Sequence, residues 1–231
     1  MDDSCVHGME ELMLDELFDK YGSDKGNMPL CPSMGHGYGK FYEKVLGKYV
    51  GRKIRLLEIG VCNTELCAVC GRVHHGYPRQ AHSLLAWRDY FPGSEIVGMD
   101  YKDCSDIECG GIKIYLGDQQ NPRDLNKTME GGKFDIIIDD GSHFYIHQMY
   151  TMSLMFPQMN PEGMYIIEDV KTGWPRSKFI VDDKVVMENC PHAVGAYVAL
   201  LHNTGIVNAV YSDDKYGEYM TIAIERGNVG C

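Results

Sequence analysis

The chain is punctuated by short, continuous apolar runs, each closed by an acid or a glycine. Ile54-Arg55-Leu56-Leu57-Glu58-Ile59, Glu95 to Met99, Ile112 to Leu116, Phe134 to Ile138 and Met164 to Ile167 are of this kind. Such β-branched and aliphatic runs predict strands buried on both faces, as in a parallel sheet. Between them the period becomes helical. Met9, Leu12, Met13, Leu17 and Tyr21 share one face of a helix over 9–21 that Gly22 stops, and 41–50, 83–91 and 144–155 predict further helices. Late runs at 207–211 and 219–224 add a C-terminal strand pair. The alternation predicts a single α/β domain with a Rossmann-like, doubly wound sheet, mostly parallel with an antiparallel C-terminal strand. Residues 54–231 form its core and residues 1–50 an N-terminal helical cap.

In an open α/β sheet, ligands sit outside the carboxyl ends of the strands, so the residues at those ends carry the chemistry. The run Ile136-Ile137-Ile138 finishes in Asp139-Asp140-Gly141-Ser142-His143, and Ile166-Ile167 finishes in Glu168-Asp169. Carboxylates brought that close repel unless a cation or proton sits between them, and an all-oxygen donor set suits Mg²⁺, with Mn²⁺ and Ca²⁺ as alternatives. The first strand closes in Glu58-Ile59-Gly60, where the backbone turns beside a ligand. The next ends at Asp100, placed to hold a ribose diol, and the third in Gly117-Asp118-Gln119, at adenine height. No complete G-x-G-x-x-G follows the first strand, which argues against a dinucleotide.

These strand tips resemble class I S-adenosylmethionine methyltransferases. More specifically, five segments are similar to the metal-dependent O-methyltransferases that act on sugar hydroxyls, including the deoxysugars of macrolide antibiotics. They are Asp19 to Gly26 with His36-Gly37-Tyr38 and Tyr42; Leu57 to Val61; Ser83-Leu84 through Trp87 to Pro92; Ile138 to His143; and Ile167-Glu168-Asp169. The resemblance covers roughly residues 15–175. It implies Asp140, Glu168 and Asp169 as Mg²⁺ ligands and His143, with Asp140, at the catalytic centre, His143 acting as general base. It implies Lys25, Tyr38, Glu58, Gly60, Asp100, Asp118, Gln119 and Asp139 around S-adenosylmethionine. The implied acceptor is a glycan or glycosylated small molecule, with a deoxysugar such as rhamnose favoured.

Plainer readings stand beside these. Asp139-Asp140-Gly141 also fits a turn capping the helix at 144–155, Glu168-Asp169 a solvated strand end, and His143 a helix cap. Lys25 also fits the close of a helix, and Trp174 plain packing. A catechol-type O-methyltransferase is the nearest enzymatic alternative, since it too holds two adjacent oxygens on a divalent cation. A non-catalytic cofactor-binding module is the alternative of another class.

Charge and cysteine content narrow the field further. The net charge of −11 argues against nucleic acid and anionic membranes as partners. No apolar stretch approaches a membrane span, and the acidic N-terminus lacks the pattern of a signal peptide. Nine cysteines without a secretion signal predict reduced thiols in a cytoplasmic setting, with oligomeric state left open. Residues 62–82 form an insertion where the family has a short glycine-rich turn. Its Cys67-x-x-Cys70-x-x-x-His74, with Cys62 or His75, has a zinc-like spacing, though a single C-x-x-C more often belongs to buried small side chains.

Overall fold

The computed structural model describes residues 13–27, 35–61, 81–105, 110–171, 177–181, 184–190, 198, 201, 204–213 and 219–228, with backbone alone at 171, 177–181, 184–190 and 219. The zinc-like cluster and Trp174 lie outside the described residues.

Two helices, α1 (Leu14–Tyr21) and α2 (Gly39–Leu46), precede the sheet. There follow β1 (Arg55–Ile59), α3 (His82–Tyr90), β2 (Glu95–Asp100), β3 (Lys113–Leu116), α4 (Pro122–Thr128), β4 (Ile136–Asp139), α5 (Tyr145–Met155) and β5 (Met164–Lys171). A hairpin of β6 (Ser177–Val181) and β7 (Lys184–Cys190) forms its own two-stranded sheet. β8 (Val207–Asp213) and β9 (Tyr219–Arg226) return to the main one. The seven-stranded order is β3-β2-β1-β4-β5-β9-β8, with β1 to β5 parallel and β9 antiparallel to both neighbours. The chain reverses its direction of winding between β1 and β4, the topological switch where such sheets bind ligands.

Period-2 alternation divides the apolar residues between two layers. Leu56, Ile136, Ile138, Met164 and Ile166 face α1, α2 and α3, meeting Phe18, Tyr42 and Trp87. Leu57, Ile59, Ile137, Tyr165 and Ile167 face the other way, onto Leu125 of α4 and Met152 and Met155 of α5. The strands therefore read as continuous apolar runs because both faces are covered.

Two elements go beyond the sequence reading. Helix α4 is capped by Asn121, whose side chain accepts from the Arg123 amide, with Pro122 in the first helical position. The β6–β7 hairpin stands apart from the main sheet. Cys104, just after β2, is disulfide-bonded, contrary to the expectation of reduced thiols throughout. Among the described residues no helix is long and apolar enough to cross a membrane.

Candidate active site

A cavity of about 600 Å³ opens at the carboxyl ends of β1 to β5, within the range of small-molecule sites. Lys25, Gly60, Asp100, Asp118, Gln119, Asp140, His143, Glu168 and Asp169 all line it, so most of the residues singled out above converge on one space.

Backbone shapes one side. Gly60 has φ of +88°, and a Cβ placed there would lie 2.0 Å from the Asp140 carbonyl oxygen. Glycine alone permits that approach, which brings the β4 tip against the end of β1. The Asp140 amide completes the junction by donating to the Ile59 carbonyl at 2.9 Å. At the end of β2, one Asp100 oxygen accepts the Lys102 amide at 2.8 Å while the side chain lines the cavity. Gln119 ties the floor together. Its Nε2 donates to Asp139 at 3.1 Å, and its Oε1 accepts the Ser142 amide at 2.8 Å.

Three residues expected at the cofactor do not line this cavity. Asp139 is fully buried, accepting from Gln119, Tyr165 and the Gly141 amide, and burial pushes its carboxyl up to about 6. Glu58 is also fully buried and accepts the Trp87 indole N–H at 2.9 Å, its carboxyl pushed up by desolvation. Tyr38 donates its hydroxyl to Asp169 at 2.9 Å. In a strand buried on both faces, a tip carboxylate one residue short of the turn has only protein to face. Glu58 and Asp139 therefore shape the wall without forming its surface.

The other side is the acidic mouth. β5 pairs regularly with β9 up to Ile167, then slips register before Val170, leaving Glu168 and Asp169 in a bulge. Asp169 there has φ of +50°. In a regular strand the two neighbours would point to opposite faces; the bulge turns both toward α2. Tyr42 then donates to Glu168 as Tyr38 does to Asp169, one turn of α2 apart. His143 has φ of +57° in the loop after β4. Among the described residues only one other non-glycine has positive φ, and strain of this kind gathers at functional sites. Asp140, His143 and Asp169 each present a ligand atom within 4.8 Å of the others. Two carboxylates and an imidazole at that spacing fit a divalent cation. Glu168 is turned inward, toward Lys25 and Tyr42.

Lys25 is the residue whose importance the sequence understates. It is 2 % exposed, yet its Nζ lies 2.5 Å from Asp140, 2.8 Å from Glu168 and 3.3 Å from Glu58. Burial opposes its charge, but the three acids outweigh burial and hold the ammonium well above its ordinary range. Asp140 in turn is pushed well above the usual carboxylate range by burial and then by Glu168. Tyr42, Tyr101, Lys102 and His82 are site residues to which the sequence reading assigns no role. The i, i+4 spacing of Tyr38 and Tyr42 across the start of α2 was the available signal for the first.

No family model matches the chain. The mycinamicin VI 2''-O-methyltransferase of Micromonospora griseorubida is 34% identical over 166 residues, covering 70% of this chain and 37% of that protein. The 8-demethyl-8-alpha-L-rhamnosyl tetracenomycin-C 2'-O-methyltransferase of Streptomyces olivaceus is 31% identical over 166 residues, covering 71% and 39%. The chain spans less than half the length of these curated relatives. The MycE methyltransferase from the mycinamycin pathway, solved with Mg and SAH, superposes with a TM-score of 0.70 at 23% identity, over 97% of this chain and 58% of its own. By sequence the chain is similar to these sugar O-methyltransferases, and it has the class I methyltransferase fold.

Proposed function

We propose that the protein transfers a methyl group from S-adenosylmethionine to a hydroxyl of a deoxysugar, such as rhamnose, carried on a glycosylated small molecule, with Mg²⁺ at the acidic mouth. The observation that carries this reading is the meeting of Asp140, His143 and Asp169 at the mouth of the strand-tip cavity. The named acceptors of the relatives, a rhamnosylated tetracenomycin and a macrolide, support the sugar.

The cofactor supplies an electrophilic methyl, and the dication acidifies a sugar hydroxyl that is otherwise too weak an acid to react at neutral pH. The chain's residues do the rest. Asp100 accepts from the ribose diol, and Gly60 lets the backbone lie against the cofactor. Asp140 and Asp169 hold the cation, with Glu168 immediately behind them. His143 takes the hydroxyl proton as the new C–O–CH₃ bond forms and the C–S bond breaks. It lines the cavity in left-handed backbone, on a loop that Gln119 pins through the Ser142 amide. Sequestration from water and fixed approach geometry account for most of the acceleration.

The test is a transfer assay with S-adenosylmethionine and Mg²⁺ against a panel of rhamnosylated and unglycosylated polyketides and a catechol, read by mass. A methyl gain on the rhamnosides alone is expected. Methylation of the catechol with none of the glycosides would overturn the sugar assignment.

A further inference from the structure

The acidic mouth contains two places for positive charge. One is open, between Asp140, His143 and Asp169. The other is closed and filled by the Lys25 ammonium, among Glu58, Asp140 and Glu168. Asp140 belongs to both. A lysine is rarely buried unless paired, and this one is 2 % exposed with three carboxylates around its ammonium. It is carried on the loop after α1, whose Ser23 and Asp24 line the cavity beside it. That loop is itself fixed: Tyr38 donates its amide to the Lys25 carbonyl at 2.8 Å, and His36 donates to Asp24 at 2.7 Å.

We propose that Lys25 is a resident cation of the site, which holds Asp140 and Glu168 together before any metal arrives and sets how tightly the open place takes a divalent ion. This rests on the function proposed above. Four acids, Glu58, Asp140, Glu168 and Asp169, crowd the ends of three neighbouring strands, β1, β4 and β5. Without a fixed positive charge they would spread apart or bind any available cation indiscriminately. With Lys25 among them, one charge is neutralised permanently, which moderates the pull of the remaining acids on the ion. Its positive charge also repels a dication a few ångströms away, weakening binding enough for the ion to exchange.

Lys25→Met retains most of the volume and removes the charge. In chelator, its Tm should fall by about 10 °C, the loss expected when one partner of a buried ionic cluster is removed. Added Mg²⁺ should restore much more of that loss than it adds to the wild type. Calorimetry should show Mg²⁺ binding about tenfold tighter than in the wild type. Combining Lys25→Met with Glu58→Gln removes a charge of each sign and should recover at least half of the Tm loss in chelator. An equal loss with and without Mg²⁺, or a double variant no more stable than the single, would mean that Lys25 acts by packing and overturns the proposal. It is overturned equally if Lys25→Met fails to fold in chelator and neither Mg²⁺ nor Glu58→Gln rescues it. If neither protein takes up Mg²⁺ or Mn²⁺, the function reading fails. Equal uptake by both overturns only the role of Lys25.

Discussion

The two sides of the cavity are made of similar residues used in opposite ways. The wall at β1 to β3 is regular: strands end on schedule, Gly60 turns, and carboxylates are presented one per strand, Asp100 at the tip of β2 and Asp118 just after β3. The mouth at β4 and β5 is irregular, with a bulge, two non-glycine residues in left-handed backbone and an ammonium enclosed by carboxylates. The wall has to recognise a ligand whose charge and shape scarcely change. The mouth has to manage charge that moves during the reaction, and strained backbone and buried ions are the means a fold has for fixing such groups in place.

If that division is right, the largest effects belong to the mouth. Removing divalent ions with chelator should abolish transfer while S-adenosylhomocysteine still binds, and Mg²⁺ or Mn²⁺ should restore turnover. Full activity in chelator would leave Asp140 and Asp169 with no more than a structural role.

His143→Ala comes next, slowing transfer by roughly 10²–10⁴ with cofactor affinity preserved. As a base the imidazole must be neutral, so the wild-type rate should climb as the ring loses its proton. In the variant part of the loss should return at high pH, where hydroxide serves instead. A metal affinity that falls along with the rate would instead make His143 a ligand, which its 4.8 Å grouping with Asp140 and Asp169 also permits. The two measurements together separate base from ligand.

On the wall, Asp100→Ala should weaken S-adenosylhomocysteine binding by about 10–100-fold, the cost of leaving two ribose hydroxyls without their acceptor. Metal affinity should not change. Unaltered cofactor binding would place the ribose elsewhere along the strand ends.

The same contrast explains what could be read from the sequence. Uninterrupted runs such as Ile136-Ile137-Ile138 mark strands because burial on both faces leaves no polar alternation, and their interleaving with helices marks the doubly wound class. The tips Asp100, Asp118, Asp140 and Asp169 were visible because an acid after such a run has few other uses. Which tip residues face a ligand was not legible. Glu58 and Asp139 look identical in sequence to Asp100 and Asp140, and only the neighbours supplied by Trp87, Gln119 and Tyr165 turn them inward. The bulge at Glu168-Asp169 depends on a partner strand more than fifty residues away, β9, and no local pattern announces it. Lys25 resembles a helix-closing lysine until tertiary contacts bring three strand ends around it.

The smallest effect tests the inward-turned acids directly, through Asp139. Its carboxyl titrates near 6 in the folded protein against an ordinary value of 3.8, because burial disfavours the anion more than Gln119, Tyr165 and the Gly141 amide favour it. Between those two values the folded state binds more protons than the unfolded one. The stabilising contribution is therefore complete below about pH 4 and lost as pH rises through about 6. Asp139→Asn stays neutral throughout and still offers Gln119 an oxygen to donate to. Its Tm, measured in chelator, should match or fall below the wild type at pH 4 and exceed it at pH 7. The crossover amounts to a swing on the order of 2–3 kcal/mol and several degrees. A constant difference at every pH would show that the anion is already compensated in the fold, and that the end of β4 tolerates a buried charge at Asp139 as readily as it does beside Lys25.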